Sequence, residues 1–110
     1  MPVDMNPNGT IFGGWIMAQM DMAAGIASEQ RAGGMTLTVA VSELTLKHPL
    51  YPGQVVEIFT DLVRTGRTSM TYGIELWAYA AKGADRVKAA MATFVMVAID
   101  DQGRPRPVVL

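Results

Sequence analysis

Between Ile11 and Ala27 apolar residues and glycines follow one another, with Gln19 and Asp21 as the only fully polar interruptions. A run of this kind predicts a helix that is apolar nearly all round, and such a helix reads as buried. Ahead of it, Met1–Thr10 reads as loop. Pro2, Pro7 and Gly9 forbid regular structure there, and Asn8 or Thr10 is placed to cap the helix. The helix should run to about Ala32 and end at Gly33-Gly34, which supply a left-handed C-cap. The period then changes to two. Met35, Leu37, Val39 and Val41 alternate with small polar or alanine positions, and the apolar phase flips to Leu44 and Leu46, which predicts a bulge near Ser42-Glu43. Lys47–Gly53 is loop by its prolines and glycine. Gln54–Arg64 and Ser69–Tyr79 each alternate and are joined by a Thr65-Gly66 turn; Lys82-Gly83 turns the chain once more. Arg86–Ile99 is apolar on both faces, as suits a central strand. The tail from Asp101 to Pro107 is irregular. The order is one long helix followed by four or five antiparallel strands, an α+β arrangement in which a curved sheet wraps the helix.

Composition narrows the partners. The chain has 110 residues and reads as a single domain over its whole length, 1–110. Half of it is apolar and 17% is charged, which is rich for a monomer of this size and points to a wide oligomer interface or a large ligand groove. The net charge of −1 argues for neither nucleic acid nor an anionic membrane. The absence of cysteine excludes disulfides, thiolate metal sites and cysteine nucleophiles. No apolar run is long enough to span a bilayer, and the N-terminus lacks the pattern of a signal peptide. A cytoplasmic, soluble protein with no metal and no cofactor is the expectation.

Against that background Asp21 stands out. Its helical neighbours at i±3 and i±4 are Met17, Ala18, Ala24 and Gly25, none of which can pair with a charge. A carboxylate on an apolar helix is costly unless it is paired, hydrogen-bonded or opened to a cavity. It can serve as a general base or a nucleophile; the plainer readings are a turn toward solvent or a bond to backbone across an interface. Gly13-Gly14 at the helix start expose amides at the positive end of the helix dipole, a geometry that suits an anion or a developing oxyanion. Tight packing against a sheet explains them equally well. Asn6 is explained by turn formation, or by orienting a water. Arg64, Arg67, Thr68 and Ser69 flank a tight turn and would suit either a phosphate or a solvated hairpin end. His48, the only histidine, sits before Pro49 in a loop and reads as a surface residue.

Taken together, Asp4, Asn6, Asn8-Gly9 and Ile11-Phe12-Gly13-Gly14-Trp15, followed by Gln19-Met20-Asp21, resemble the hotdog-fold acyl-CoA thioesterases, most closely the YciA-like branch. Thr38–Val41, Pro52–Val56, Gly66–Ser69, Glu75–Trp77, Val97–Asp100 and Gly103–Pro105 continue the likeness in one register. It departs at Thr10, where the family usually has an acid; family members also carry a strand ahead of the segment matching Met1-Pro2, the first residues of this sequence. The resemblance implies a helix wrapped by a curved antiparallel sheet, in dimers whose sheets join and which often assemble three at a time into hexamers. It implies hydrolysis of an acyl-CoA at the dimer interface, with CoA as part of the substrate. Asp21 would be the catalytic base or nucleophile, and Asn6 would come from the facing subunit. The Gly13 and Gly14 amides would polarise the thioester carbonyl, and Gly66, Arg67, Thr68 and Ser69 would line the pantetheine and phosphate path. Two other readings belong to the same fold: an oligomer that binds CoA esters without catalysis, and an acyl-thioester dehydratase, which would need a histidine better placed than His48.

Overall fold

The computed structural model describes residues 13–80 and 85–108. The expected loop at Met1–Thr10, with Asn6 and the caps Asn8 and Thr10, and the Lys82-Gly83 turn lie outside the described residues. The helix α1 spans Gly13–Ala32, followed by the strands β1 (Thr36–Leu46), β2 (Val55–Thr65), β3 (Ser69–Tyr79) and β4 (Val87–Ala98). The strands form one antiparallel sheet in the order β1-β4-β3-β2, so the strand read as central, β4, lies inside and β1 is an edge. The helix packs against all four strands.

The core lies between α1 and one face of the sheet. Antiparallel register puts Leu76, Ile74, Tyr72 and Met70 of β3 beside Ala90, Ala92, Phe94 and Met96 of β4, all on the helix side. From α1, Ile16, Met20, Ala24, Ser28 and Ala32 are buried, a set spaced by four residues. Small residues at Ala90, Ala92 and Ala24 let helix and sheet approach, while Met20, Phe94 and Met96 fill the space between them. Each such large side chain contributes roughly 2–3 kcal/mol through burial.

The helix is therefore not buried all round within one chain, as its sequence suggested. Met17, Met22 and Ile26 remain exposed, and so does Asp21. A four-stranded sheet covers one stripe of a helix, and the other apolar faces are left open. The C-terminus of α1 matches the expectation: Gly33 adopts φ +69° and its N–H bonds the Glu29 carbonyl at 2.9 Å. Arg106 reinforces this end by donating from Nη2 to the Ala32 carbonyl at 3.0 Å and from Nε to the Ile99 carbonyl at 3.1 Å.

The bulge predicted near Ser42-Glu43 is present as a register shift between Ser42 and Thr45, with Glu43 at φ 57°. A second shift, between Thr38 and Ala40, was not foreseen. It reverses the parity one step early. Thr36 and Thr38, paired with Ala98 and Met96, face the helix, whereas Leu37, paired with Val97, faces away. The hydroxyls turn inward because α1 offers them polar partners at Ser28 and Asp21.

Candidate active site

Asp21 lies on α1 two turns beyond Gly14, beside the buried stripe. Its carboxylate opens into a groove of about 420 Å³ lined by Gly14, Met17, Ala18, Thr38, Val41 and Phe94. Apart from Asp21 and Thr38 the walls are apolar or glycine. The helix gives Asp21 no partner, as its neighbours predicted; β1 gives it one. Thr38 donates its hydroxyl to Asp21 Oδ1, and the same hydroxyl lies 3.4 Å from Met96 Sδ. A carboxylate held at one oxygen in an apolar groove can accept a proton from water or attack an electrophile through its other oxygen.

The two glycines at the helix start divide the two readings made for them. A Cβ at Gly13 would come within 2.9 Å of Leu46 Cδ1, so close packing accounts for that position. Among the described residues a Cβ at Gly14 would meet nothing within 4 Å, and Gly14 lines the groove with Asp21. The first amides of an α-helix have no acceptor within the helix. Among the described residues, the space over Gly14 thus lies at the positive end of α1 and leads to the carboxylate.

The Gly66–Ser69 turn joins β2 to β3 at the end of the sheet where α1 terminates. Gly66 N–H bonds the Ser69 carbonyl at 2.9 Å, Ala98 N–H bonds the Thr68 carbonyl at 3.0 Å and Val108 N–H bonds the Arg67 carbonyl at 2.9 Å. These bonds fix the turn and leave the Arg67 side chain exposed. The turn does not line the Asp21 groove within one chain. Thr38, Met96 and Met70 stand in register across β1, β4 and β3, so the turn begins about 10 Å across the sheet from Thr38. His48 is exposed on its loop, as expected. Among the described residues no group of three or more His, Cys, Asp or Glu side chains is arranged to hold a metal ion. A second concavity, of about 600 Å³, lies on the far face of the sheet around Glu43, Phe59, Asp61, Glu75 and Met91. Two of its carboxylates are already engaged: Glu43 accepts from Thr93 at 2.9 Å, and Glu75 accepts from Trp77 at 3.0 Å and pairs with Lys88 at 3.1 Å. It has no helix terminus beside it, so the chemistry points to the smaller groove.

Residues 8–82 match the family model of the thioesterase superfamily. The chain belongs to that superfamily. It is 40% identical over 111 residues to the acyl-CoA thioester hydrolase YciA of Salmonella typhimurium, covering 98% of this chain and 84% of that protein. In structure it is similar to the hexameric thioesterase y2039 from Yersinia pestis, with a TM-score of 0.91 and 40% identity, over 99% of this chain and 88% of the other. A hexameric hotdog-fold thioesterase of Campylobacter jejuni gives a TM-score of 0.90 at 28% identity, over 99% of this chain and 84% of the other. The α1-on-sheet architecture is thus the hotdog fold of this superfamily. Within the superfamily frame, Thr38 is the site neighbour that sequence reasoning missed. The available signal was its parity: Thr36 and Thr38 alternate with Leu37 and Val39, and the alternation alone does not say which set faces the helix. Phe94 and Val41, which wall the groove, were not singled out by the sequence pattern.

Proposed function

We propose that this protein hydrolyses acyl-CoA thioesters to the free acid and coenzyme A. The observation that carries the reading is the Asp21 carboxylate in an apolar groove that continues to the open amide end of α1 at Gly14. Thioester hydrolysis needs an activated nucleophile, donors for the carbonyl oxygen and apolar walls for an acyl tail. Asp21 supplies the first, as base toward water or as nucleophile on the carbonyl carbon. Gly13 and Gly14 backbone N–H groups supply the second, and Met17, Val41 and Phe94 the third. The names of the relatives, an acyl-CoA thioester hydrolase and hexameric thioesterases, support the same chemistry and a homo-oligomeric enzyme.

In this reading the working unit is a dimer, with Asn6 reaching the groove from the facing subunit, and dimers associate further in threes. The exposed apolar side chains of the β1 edge, Leu37, Val39 and Leu44, with Met35 just before it, support a sheet that continues into a second copy. Gly66, Arg67, Thr68 and Ser69 would meet the pantetheine arm and phosphates, with Arg67 free to pair with a phosphate. No cofactor is required. Among the described residues no helix is long and apolar enough to cross a membrane.

The test is a free-thiol release assay over a panel of acyl-CoA chain lengths, with Asp21→Ala and Asp21→Asn beside the wild type. Both variants should lose hydrolysis while keeping the wild-type oligomer mass. Wild-type turnover in Asp21→Ala would remove Asp21 from the chemistry. Binding of acyl-CoA by calorimetry without thiol release would replace the enzyme by a binding module.

A further inference from the structure

Three amide bonds hold the Gly66–Ser69 turn, and their donors come from three parts of the chain. Gly66 N–H closes the hairpin on the Ser69 carbonyl, Ala98 N–H at the end of β4 holds the Thr68 carbonyl, and Val108 N–H holds the Arg67 carbonyl at 2.9 Å. The last of these donors lies in the tail, beyond the sheet. The tail is itself fastened. Pro105 bridges to Ile99, and Arg106 N–H bonds the Ala98 carbonyl at 2.9 Å. The Arg106 guanidinium reaches the Ile99 and Ala32 carbonyls, and the Val108 side chain packs on the core. Pro105 and Pro107 fix φ on either side of Arg106, so the segment is stiff between its anchors.

Building on the reading of this turn as the phosphate end of an acyl-CoA site, we propose that Pro105–Val108 is a strap that positions Arg67, with Val108 as the positioning residue. Arg67 sits in the turn with its side chain exposed, and among the described residues no carboxylate pairs with it. A guanidinium meets a phosphate as a planar fork, so the direction of its stem decides whether two N–H groups reach the oxygens together. Binding also costs whatever freedom the turn keeps beforehand. The Arg67 carbonyl belongs to the peptide that joins Arg67 to Thr68. The Val108 bond therefore fixes the unit from which the side chain springs, and the bonds at Gly66 and Thr68 fix peptides to either side of it. The strap touches no ligand in this scheme. Val108 donates through its backbone, while its side chain is spent on the core.

The experiment uses the full-length oligomer and two thioesters of one acyl group: the acyl-CoA, and the acyl-N-acetylcysteamine, which lacks the phosphates. Thiol release gives kcat and KM, light scattering the oligomer mass and thermal melting the Tm. Val108→Pro removes the N–H, whereas Val108→Ala keeps it and trims the side chain. Val108→Pro should raise KM for the acyl-CoA roughly 5-fold at unchanged kcat, as expected for one hydrogen bond lost from ligand binding. It should leave the cysteamine thioester at wild-type values. Val108→Ala should lower Tm and keep the wild-type KM. Arg67→Ala should raise KM for the acyl-CoA, and adding Val108→Pro to it should raise KM no further, because the strap acts through Arg67. Wild-type KM in Val108→Pro, an equal rise with both thioesters, or additive effects in the double variant would overturn the proposal. If proline shifts the mass or melts early, Pro107→Gly, which loosens the strap and keeps the Val108 N–H, carries the same expectation. A wild-type enzyme that releases no thiol from either thioester would instead overturn the thioesterase reading itself, so the two failures are distinct.

Discussion

An ionised side chain keeps its orientation only where donors hold it, and Glu75 shows this on the far face of the sheet. It accepts the Trp77 indole N–H at 3.0 Å and pairs with Lys88 Nζ at 3.1 Å, while that ammonium also stands 5.6 Å from the Trp77 ring centroid. The indole bond first, and the Lys88 contacts after it, hold the Glu75 carboxyl below its ordinary value of 4.5. A depressed carboxyl adds stability that is present above its unfolded value and disappears as pH falls through the folded one. Glu75→Gln should therefore melt slightly below the wild type at pH 7, and the two curves should converge as acidification passes through that lowered range. The side chain is 41% exposed, so solvent screening keeps the difference small. Melting curves at pH 7 and pH 3.5 check this; a gap that widens in acid would contradict it. Tyr72 shows the opposite case. It is nearly fully buried, and burial pushes its phenol up, with Arg31 pulling partly back. Its folded form is thus favoured while the phenol is neutral, and that contribution is lost only as pH rises into the alkaline range.

Elements were legible in this chain where two signals agreed. The end of α1 at Gly33 joined a change of period to a punctuating glycine, the bulge near Glu43 showed as a flip of apolar phase, and the inner place of β4 as a two-sided apolar run. The inward face of β1 was not legible because its apolar and hydroxyl residues alternate cleanly, and alternation alone does not say which set faces the core. The deciding factor is a partner seventeen residues upstream, Asp21, which no local pattern reveals. The capping of α1 by the tail was likewise out of reach, since Arg106 is 74 residues from Ala32. This clamp gives a prediction at the scale of the element. The helix end is the negative pole of α1, and Arg106 supplies charged donors to the Ala32 and Ile99 carbonyls. Arg106→Ala should destabilise the fold by about 1–3 kcal/mol. Arg106→Lys should recover part of that, since a single ammonium cannot reproduce the fork. Gly34→Ala should cost less than either, because its Cβ would meet the Arg106 Nη2 at 2.7 Å, the movable end of a long side chain. Thermal melts of the three variants order them; an Arg106→Ala protein as stable as the wild type would leave the tail without a structural role.

At the scale of the whole molecule, the chain leaves more apolar surface open than its own core requires. Met17, Met22 and Ile26 on α1, Met35 just before β1, and Leu37, Val39 and Leu44 on β1 all remain exposed, and among the described residues β1 is an edge with no strand beside its outer backbone groups. An edge strand this apolar, whose one charged residue, Glu43, is engaged by Thr93, pairs with another strand when one is available. A second copy offers the same edge, so a two-fold pairing of β1 with β1 would satisfy both backbones and cover both sets of side chains. The Asp21 groove runs along this border, since Thr38 and Val41 belong to β1. Assembly and activity should therefore fail together. Leu37 faces away from α1 and contributes nothing to the helix–sheet core, which makes it a clean place to put a charge. Leu37→Lys should leave the protomer folded, with native circular dichroism, and shift its mass toward a smaller species in sedimentation. Thiol release should fall in step with the loss of the larger species, and raising the protein concentration should restore both. A Leu37→Lys protein that sediments as a small species yet hydrolyses acyl-CoA at the wild-type rate would show that one chain suffices. Asn6 from a second subunit would then have no part in the reaction.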